Sequence, residues 1–179
     1  MPVMVQLAAQ RPRQPIIMCA SLVDKVPNLA GLARTCEIFN AQKLVVPNLF
    51  VTKQDPTFVA VSATACKWMP LEEVQPQGDN MHQALHRWKS EGYTIVAVEQ
   101  TGSSVSLASY SLPHEMVLVL GREKEGIPVD VLQLVDVCVK IPQFGLVRSL
   151  NVHVSGALVL WEYTQQQLLS GNIESAPLQ

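Results

Sequence analysis

Residues 141–163, IPQFGLVRSLNVHVSGALVLWEY, constrain the fold more than any other stretch, because a polar loop leads directly into a long apolar segment. The loop contains polar or conformationally special residues: Gly145, Arg148, Ser149 and Asn151. The following residues, 152–161, are apolar on almost every side of a helix, whereas a surface helix shows a single apolar stripe. The sequence therefore predicts a helix buried all round behind a ligand-binding loop.

Small residues in this helix indicate what buries it. Ser155, Gly156 and Ala157 leave room for another helix to approach closely. A domain of this size rarely encloses a helix on all sides by itself, so we interpret the helix as a contact between two subunits.

Composition limits the class of protein. The chain has 179 residues, 48% of them hydrophobic, enough for one domain with a sizeable core. Its four cysteines are far apart, form no CxxC pair and lie in apolar runs, which predicts buried free thiols in a reducing compartment. With no signal-peptide pattern and no long uninterrupted apolar segment, we expect a soluble protein of the cytoplasm or nucleus without a membrane partner. The net charge of -2 gives no global attraction to nucleic acid, so an RNA partner would require a local basic patch or another domain.

Strand and helix patterns alternate along the chain. Predicted strands lie at 16–23, 43–46, 93–98, 116–120 and 137–141, with a further short extended piece near Trp68. Predicted helices include one that begins near Asn28, as an N-cap, and others at 79–91 and 129–135. This order predicts an α/β fold with a mostly parallel sheet of about six strands. We expect a lead-in at 1–14, one domain at 15–169 and a polar tail at 170–179.

Three polar loops follow predicted strands, at 99–103, 121–127 and 142–151. Parallel strands end at one edge of a sheet, so the loops should form a crevice there, suited to a flat heteroaromatic ring held by main-chain hydrogen bonds. The chain lacks a GxGxxG motif after its first strand, and GREKEG lacks the GK[ST] of a P-loop, which disfavours a dinucleotide or nucleoside triphosphate. A serine hydrolase is disfavoured because no GxSxG motif is present. His82 and His86 have the spacing of a metal site but no third ligand nearby, so we predict no metal.

Three segments together resemble the motifs of the SpoU, or TrmH, branch of the SPOUT RNA methyltransferases. They are NLAGLART (28–35), VLVLGREKEGIP (117–128) and IPQFGLVRSLNVHVSGALVLWE (141–162), in the family's order and spacing. The resemblance covers residues 15–165. It implies transfer of a methyl group from S-adenosyl-L-methionine to a ribose 2'-hydroxyl, a SPOUT (α/β knot) fold with a C-terminal trefoil knot, and a homodimer formed through the last helix. Sequence patterns would not predict the knot, because true knots are nearly absent among folds.

Within this family, the chain resembles the C-terminal catalytic domain of a large tRNA 2'-O-methyltransferase that acts on a D-loop guanosine, guanosine 18. The resemblance implies tRNA as substrate and a large RNA-binding region preceding this domain in the full-length protein. Two alternatives stay open: a methyltransferase acting on rRNA, and a catalytically inert RNA-binding or dimerisation module with the same fold.

The resemblance also assigns roles to individual residues. The catalytic positions are Arg34, Asn28, Glu123, Ser149 and Asn151. The methyl-donor positions are Thr101, Gly102, Leu120, Gly121, Ile141, Pro142 and Leu150. Because a guanidinium stays protonated, Arg34 is expected to clamp a phosphate and stabilise the developing alkoxide, serving the donor held by the other subunit. Spacing alone would instead make Arg34 a solvated helix charge. His153 departs from the small residue that the resemblance implies after the SLNV string.

Overall fold

A seven-stranded sheet forms the centre of the computed structural model, which describes residues 12–174. The strands are β1 (Gln14–Cys19), β2 (Ala41–Val46), β3 (Leu71–Glu73), β4 (Thr94–Val98), β5 (Val105–Ser106), β6 (Met116–Val119) and β7 (Val137–Lys140). Their order is β3-β2-β1-β6-β4-β7-β5, and every neighbouring pair is parallel. The predicted α/β class with a parallel sheet is therefore confirmed.

Helices cover both faces of the sheet, which explains the continuous apolar runs of its central strands. The helices are α1 (Val26–Ile38), α2 (Leu49–Gln54), α3 (Pro56–Ser62), α4 (Asn80–Ser90), α5 (Val129–Leu132) and α6 (Val152–Leu169), with a 3-10 turn at Ala63–Lys67. One core cluster lies between the sheet, α1 and α6, and a second lies between the sheet and α4. None of the helices at residues 12–174 is long and apolar enough to cross a membrane.

Several predicted boundaries and contacts need correction. The prediction of about six strands omitted β5, two residues that pair only with the edge of β7. Asn28 is not the N-cap of α1: the N-cap is Lys25, three residues earlier, and the Asn28 side chain is buried. Cys19 and Cys36 are buried free thiols as expected, whereas Cys66 and Cys138 are only partly buried.

Helix α6 differs from its prediction in burial. It continues to Leu169 and is not buried all round in the single chain, because Val154, Leu158 and Trp161 are 42%, 40% and 45% exposed. These three side chains recur at helical spacing and form one stripe, called here the α6 outer face. Gly156 lies on the opposite, buried side.

Gly156 allows close helix packing, but within this chain rather than between subunits. A Cβ at this position would lie 2.7 Å from Leu32 Cδ2 of α1 and 3.1 Å from Leu120 Cδ1. The small residue therefore brings α6 down onto α1 and the end of β6. The expectation that Gly156 faces another subunit is wrong.

Candidate functional site

The three loops meet at the carboxyl edge of the sheet, because β6, β4 and β7 are neighbours. They enclose an open cavity of about 550 Å³, within the size range of small-molecule sites. The order in which strands are added to the sheet also reverses beside β1, which has β2 on one side and β6 on the other. Parallel α/β sheets usually bind ligands at such a point. The crevice predicted from the loop positions is therefore present.

A chain of hydrogen bonds joins the three sequence motifs. Asn151 Nδ2 donates to Asn28 Oδ1 (3.0 Å), and Asn28 Nδ2 donates to Glu123 Oε1 (2.8 Å). The Glu123 carboxylate also accepts from the backbone N–H groups of Asp24 and Lys25, both at 3.1 Å. The loop after β1, the loop after β6 and the start of α6 are thus held together by side chains.

Asn151 has a second task as the N-cap of α6. Its Oδ1 accepts from the backbone N–H groups of His153 (2.9 Å) and Val154 (3.3 Å), which would otherwise lack helical partners. Its Nδ2 remains available for Asn28. One amide side chain therefore sets both the start of α6 and its position against α1.

Glu123 is kept ionised by this environment. Partial burial opposes ionisation, but hydrogen bonds from the Asp24 backbone, the Asn28 side chain and the Lys25 backbone outweigh it and hold the pKa of Glu123 below its ordinary value. A carboxylate in this state is a fixed acceptor rather than a proton donor. Its geometry suits a residue that holds loops in place.

Glu99, at the end of β4, anchors the loop after β6. Its Oε2 accepts from the backbone N–H of Ile127 at 3.1 Å, and Gly126 adopts a φ of +71° beside it. The positive φ favours glycine at this position, and a Cβ on Gly126 would lie 2.7 Å from that Glu99 oxygen. Sequence reasoning placed Glu99 in a loop without a role; its signal was a carboxylate directly after a buried strand.

The cavity carries more cationic than acidic side chains, although the whole chain has a net charge of -2. Its five cationic side chains are Lys25, Arg122, Lys124, Lys140 and Arg148, and its three acidic ones are Glu99, Glu123 and Glu125. Hydrogen bonds to backbone N–H groups already engage two of those acids. The local charge balance therefore favours an anionic ligand.

The structure places most of the predicted site residues on this cavity. The lining includes Asn28, Glu123, Ser149 and Asn151 of the predicted catalytic set and Leu120, Gly121, Ile141 and Leu150 of the predicted donor set. Pro142 lies on an adjoining shallow pocket formed by residues 142–150. Thr101 and Gly102 lie just beyond Gln100, which lines the cavity, but do not line it themselves.

Arg34 is the predicted catalytic residue that does not line the cavity. It lies exposed on α1. The next residue, Thr35, contacts His153: the two side chains lie 3.0 Å apart between Thr35 Oγ1 and His153 Nε2. Sequence reasoning noted His153 only as a departure from the family pattern.

The two histidines with metal-site spacing have other surroundings. His82 Nε2 lies 3.0 Å from Asp130 Oδ2, and His86 is exposed. Between residues 12 and 174, no group of three or more His, Cys, Asp or Glu side chains could hold a metal ion.

Comparisons with known proteins agree with this architecture. The model of the SpoU rRNA Methylase family matches residues 15–161. Over 154 residues the chain is 53% identical to the Mus musculus tRNA (guanosine(18)-2'-O)-methyltransferase TARBP1, covering 86% of this chain but 10% of that protein, so the chain spans about a tenth of its length. It is 32% identical to a Thermus thermophilus tRNA (guanosine(18)-2'-O)-methyltransferase, covering 90% of this chain and 80% of that protein. A crystal structure of the A. aeolicus TrmH/SpoU tRNA modifying enzyme superposes with a TM-score of 0.81 at 25% identity, covering 94% and 83% of the two chains.

Proposed function

This chain belongs to the SpoU rRNA methylase family, and from that membership we propose that it is a tRNA (guanosine-2'-O-)-methyltransferase that uses S-adenosyl-L-methionine and modifies guanosine 18. The observation that carries the proposal is the 53% identity to a relative named for this activity, over nearly the whole of the described fold. A bacterial relative with the same name has most of its length covered by this chain, so a large preceding region is not common to all such enzymes.

The apolar part of the cavity fits the proposed methyl donor, while its excess of cationic side chains fits the phosphates of the proposed RNA substrate. Apolar side chains of two of the three loops, Leu120, Ile141 and Leu150, offer surfaces for an adenine ring. We propose that backbone N–H and C=O groups of the glycine-bearing loops bind the edges of that ring. We propose that these residues hold S-adenosyl-L-methionine, with Gly121 and Pro142 beside them and Thr101 and Gly102 on the adjoining loop. The donor supplies an electrophilic methyl group on a sulfonium.

The protein then has to position and activate the ribose hydroxyl. We propose that the Arg34 guanidinium binds the phosphate next to that ribose and stabilises negative charge on its oxygen. Because a guanidinium stays protonated, Arg34 does not accept the proton of the ribose hydroxyl, and that proton passes to another acceptor. The substrate phosphate that Arg34 binds lies next to this hydroxyl. Asn28, Glu123 and Asn151 fix the loops around the ribose, and Ser149 provides a hydroxyl for hydrogen bonding.

The exposed position of Arg34 supports a homodimer. Arg34 is outside the cavity of its own chain, while the α6 outer face presents an apolar stripe. We propose that two copies pair through this face and that Arg34 of each copy serves the methyl donor of the other. A trefoil knot in the last segment and a location in the cytoplasm or nucleus stay predictions from the resemblance and from cysteine usage.

Substitution of Arg34 tests the function. Wild-type protein, Arg34→Ala and Arg34→Lys would be incubated with methyl-labelled donor and with unmodified tRNA or rRNA, and the methylated nucleotide would be mapped. We expect label on guanosine 18 of tRNA, a loss of about 100-fold or more in Arg34→Ala, and poor rescue by lysine, which lacks the planar fork. Unchanged activity in Arg34→Ala would contradict the role of Arg34, and label on rRNA alone would favour the rRNA alternative.

Donor binding separates an enzyme from an inert module. Calorimetric titration of the wild-type chain with S-adenosyl-L-methionine should give saturable binding that Leu150→Asp weakens. A chain that keeps the fold only for dimerisation or RNA binding would release no heat in this titration.

A further inference from the structure

We propose that His153 is a positioning residue that fixes α1, which carries Arg34, against the start of α6, so that Arg34 keeps a defined position relative to the α6 outer face and to the methyl donor held by the other copy. This inference rests on the proposed function. Its basis is the contact between His153 and Thr35, which the resemblance does not imply, since it predicts a small residue where His153 stands.

The hydrogen bonds of Thr35 determine the tautomer of His153. Thr35 Oγ1 donates its only proton to the backbone oxygen of Gly31 at 3.0 Å. The 3.0 Å contact between Thr35 Oγ1 and His153 Nε2 therefore requires the imidazole to donate from Nε2. The ring is thus held at a defined rotation by a polar contact as well as by packing.

Gly31 provides the space for this ring. A Cβ at Gly31 would lie 2.5 Å from His153 Nδ1, 2.6 Å from Cε1 and 2.9 Å from Cγ. The imidazole therefore lies directly over the backbone of α1, one turn before Thr35. Glycine in the first motif and histidine in the third complement each other in shape.

The surroundings favour a neutral imidazole. Burial between α1 and α6 lowers the pKa of His153 below its ordinary value. The ring also lies in the first turn of α6, where the positive end of the helix dipole disfavours a cation. In the neutral ring, donation from Nε2 to Thr35 leaves Nδ1 without a proton.

The contact joins α1, which carries Arg34, to α6, whose outer face is proposed to pair with the other copy. Asn151, two residues before His153, ends the donor loop and begins the Asn28–Glu123 network. Thr35 directly follows Arg34 on α1. Removal of the His153 donor would let α1 rotate or slide against α6, and Arg34 would move relative to the α6 outer face and so to the donor held by the other copy.

The test compares three single substitutions. His153→Leu keeps much of the bulk but no donor, and His153→Gln places an amide N–H near the position of Nε2. His86→Leu is a matched control at an exposed position of α4. We expect His153→Leu to lower kcat about 10- to 100-fold, with KM for donor and tRNA within about twofold, because misplacement of a group by about an ångström has effects of this size. His153→Gln should restore most of kcat, and His86→Leu should match the wild type.

A double-mutant cycle shows whether His153 acts through Thr35. Thr35→Val should lower kcat by a factor similar to that of His153→Leu, and the double variant should lose little more. Wild-type kcat in His153→Leu, a glutamine variant as slow as the leucine variant, or fully multiplicative losses would overturn the proposal.

A wild-type chain that methylates no RNA would refute the proposed function but still allow a test of His153. In that case the Arg34 Nε–H resonance of nitrogen-15-labelled protein reports its position. A shift in His153→Leu that is absent in His153→Gln and His86→Leu would support positioning. An unchanged Arg34 resonance in His153→Leu would overturn it.

Discussion

At the scale of single residues, the site depends on polar groups that hold loops rather than on groups with unusual reactivity. Asn28 is 8% exposed, and its amide bonds on one side to Glu123 and on the other to Asn151. A buried amide that lost one of these partners would cost about 1–3 kcal/mol. Each member of the network is therefore replaceable only by a group with the same donors and acceptors.

Glu123→Gln tests this network and its pH dependence. At neutral pH the variant should unfold about 1–3 kcal/mol more easily, because an amide group faces the N–H donors of Asp24, Lys25 and Asn28. The pKa of Glu123 is lowered in the folded state, so the carboxylate stabilises the fold above its ordinary pKa of 4.5, and this contribution is lost as pH falls through the folded value. Urea unfolding at neutral pH and at about pH 3 should show the difference between wild type and variant shrinking in acid.

Glu125→Gln is the matched control for that experiment. Glu125 is exposed on the same loop, and its substitution should change the unfolding free energy by less than about 0.5 kcal/mol. An equal effect of both substitutions, or an undiminished difference in acid, would contradict the role assigned to Glu123.

Gly121→Ala tests the backbone geometry of the loop after β6. A Cβ at Gly121 would lie 2.6 Å from the carbonyl carbon of Gly126 and 2.9 Å from the nitrogen of Ile127. These are backbone atoms, which cannot move aside as easily as the end of a side chain. We expect a loss of more than about 2 kcal/mol, with weaker donor binding. Gly145→Ala, where a Cβ would meet open space, should change stability by less than about 0.5 kcal/mol. Equal stability of the two variants in urea would contradict the tight contact.

At the scale of elements, the strength of the local pattern decided what the sequence could predict. The runs that became β1, β4 and β6 are almost uninterruptedly apolar, so their strand character and their place in a covered parallel sheet were readable. Strand β5 has two residues and no such pattern, and only the neighbouring edge of β7 makes it a strand. The sequence predicted Asn28 to be an N-cap because residue spacing indicates only local preferences. In the structure, the Asn28 side chain points inward because it donates a hydrogen bond to Glu123, 95 residues away.

The packing of α6 on α1 carries a further prediction. Even the first carbon of a side chain at Gly156 would crowd the buried tips of Leu32 and Leu120. Gly156→Leu should therefore lower the unfolding free energy by about 3 kcal/mol or more, independently of protein concentration. Ala157→Leu, at a partly buried position, is the neighbouring control and should cost less than about 1 kcal/mol. A loss that appeared only at low protein concentration would instead place Gly156 at a subunit contact.

At the scale of the whole molecule, the chain is acidic overall but concentrates cations where its loops meet. Composition could report only the net charge, because the position of each charge depends on which strands become neighbours. The same limit applies to α6. Its sequence indicated burial on all sides, but one chain covers only the side that faces α1 and the sheet.

The α6 outer face should therefore decide the oligomeric state. Leu158, at its centre, is 40% exposed, and Leu158→Lys would place a charge in an apolar contact between two copies. We expect wild-type protein to be dimeric by light scattering and Leu158→Lys to be a folded monomer that transfers methyl groups at least about 10-fold more slowly, because Arg34 no longer reaches the donor of the other copy. Val59→Lys on α3, at a position 48% exposed, is the matched control and should stay dimeric and active. A monomeric wild type, or a monomeric Leu158→Lys with full activity, would show that each copy completes its own site.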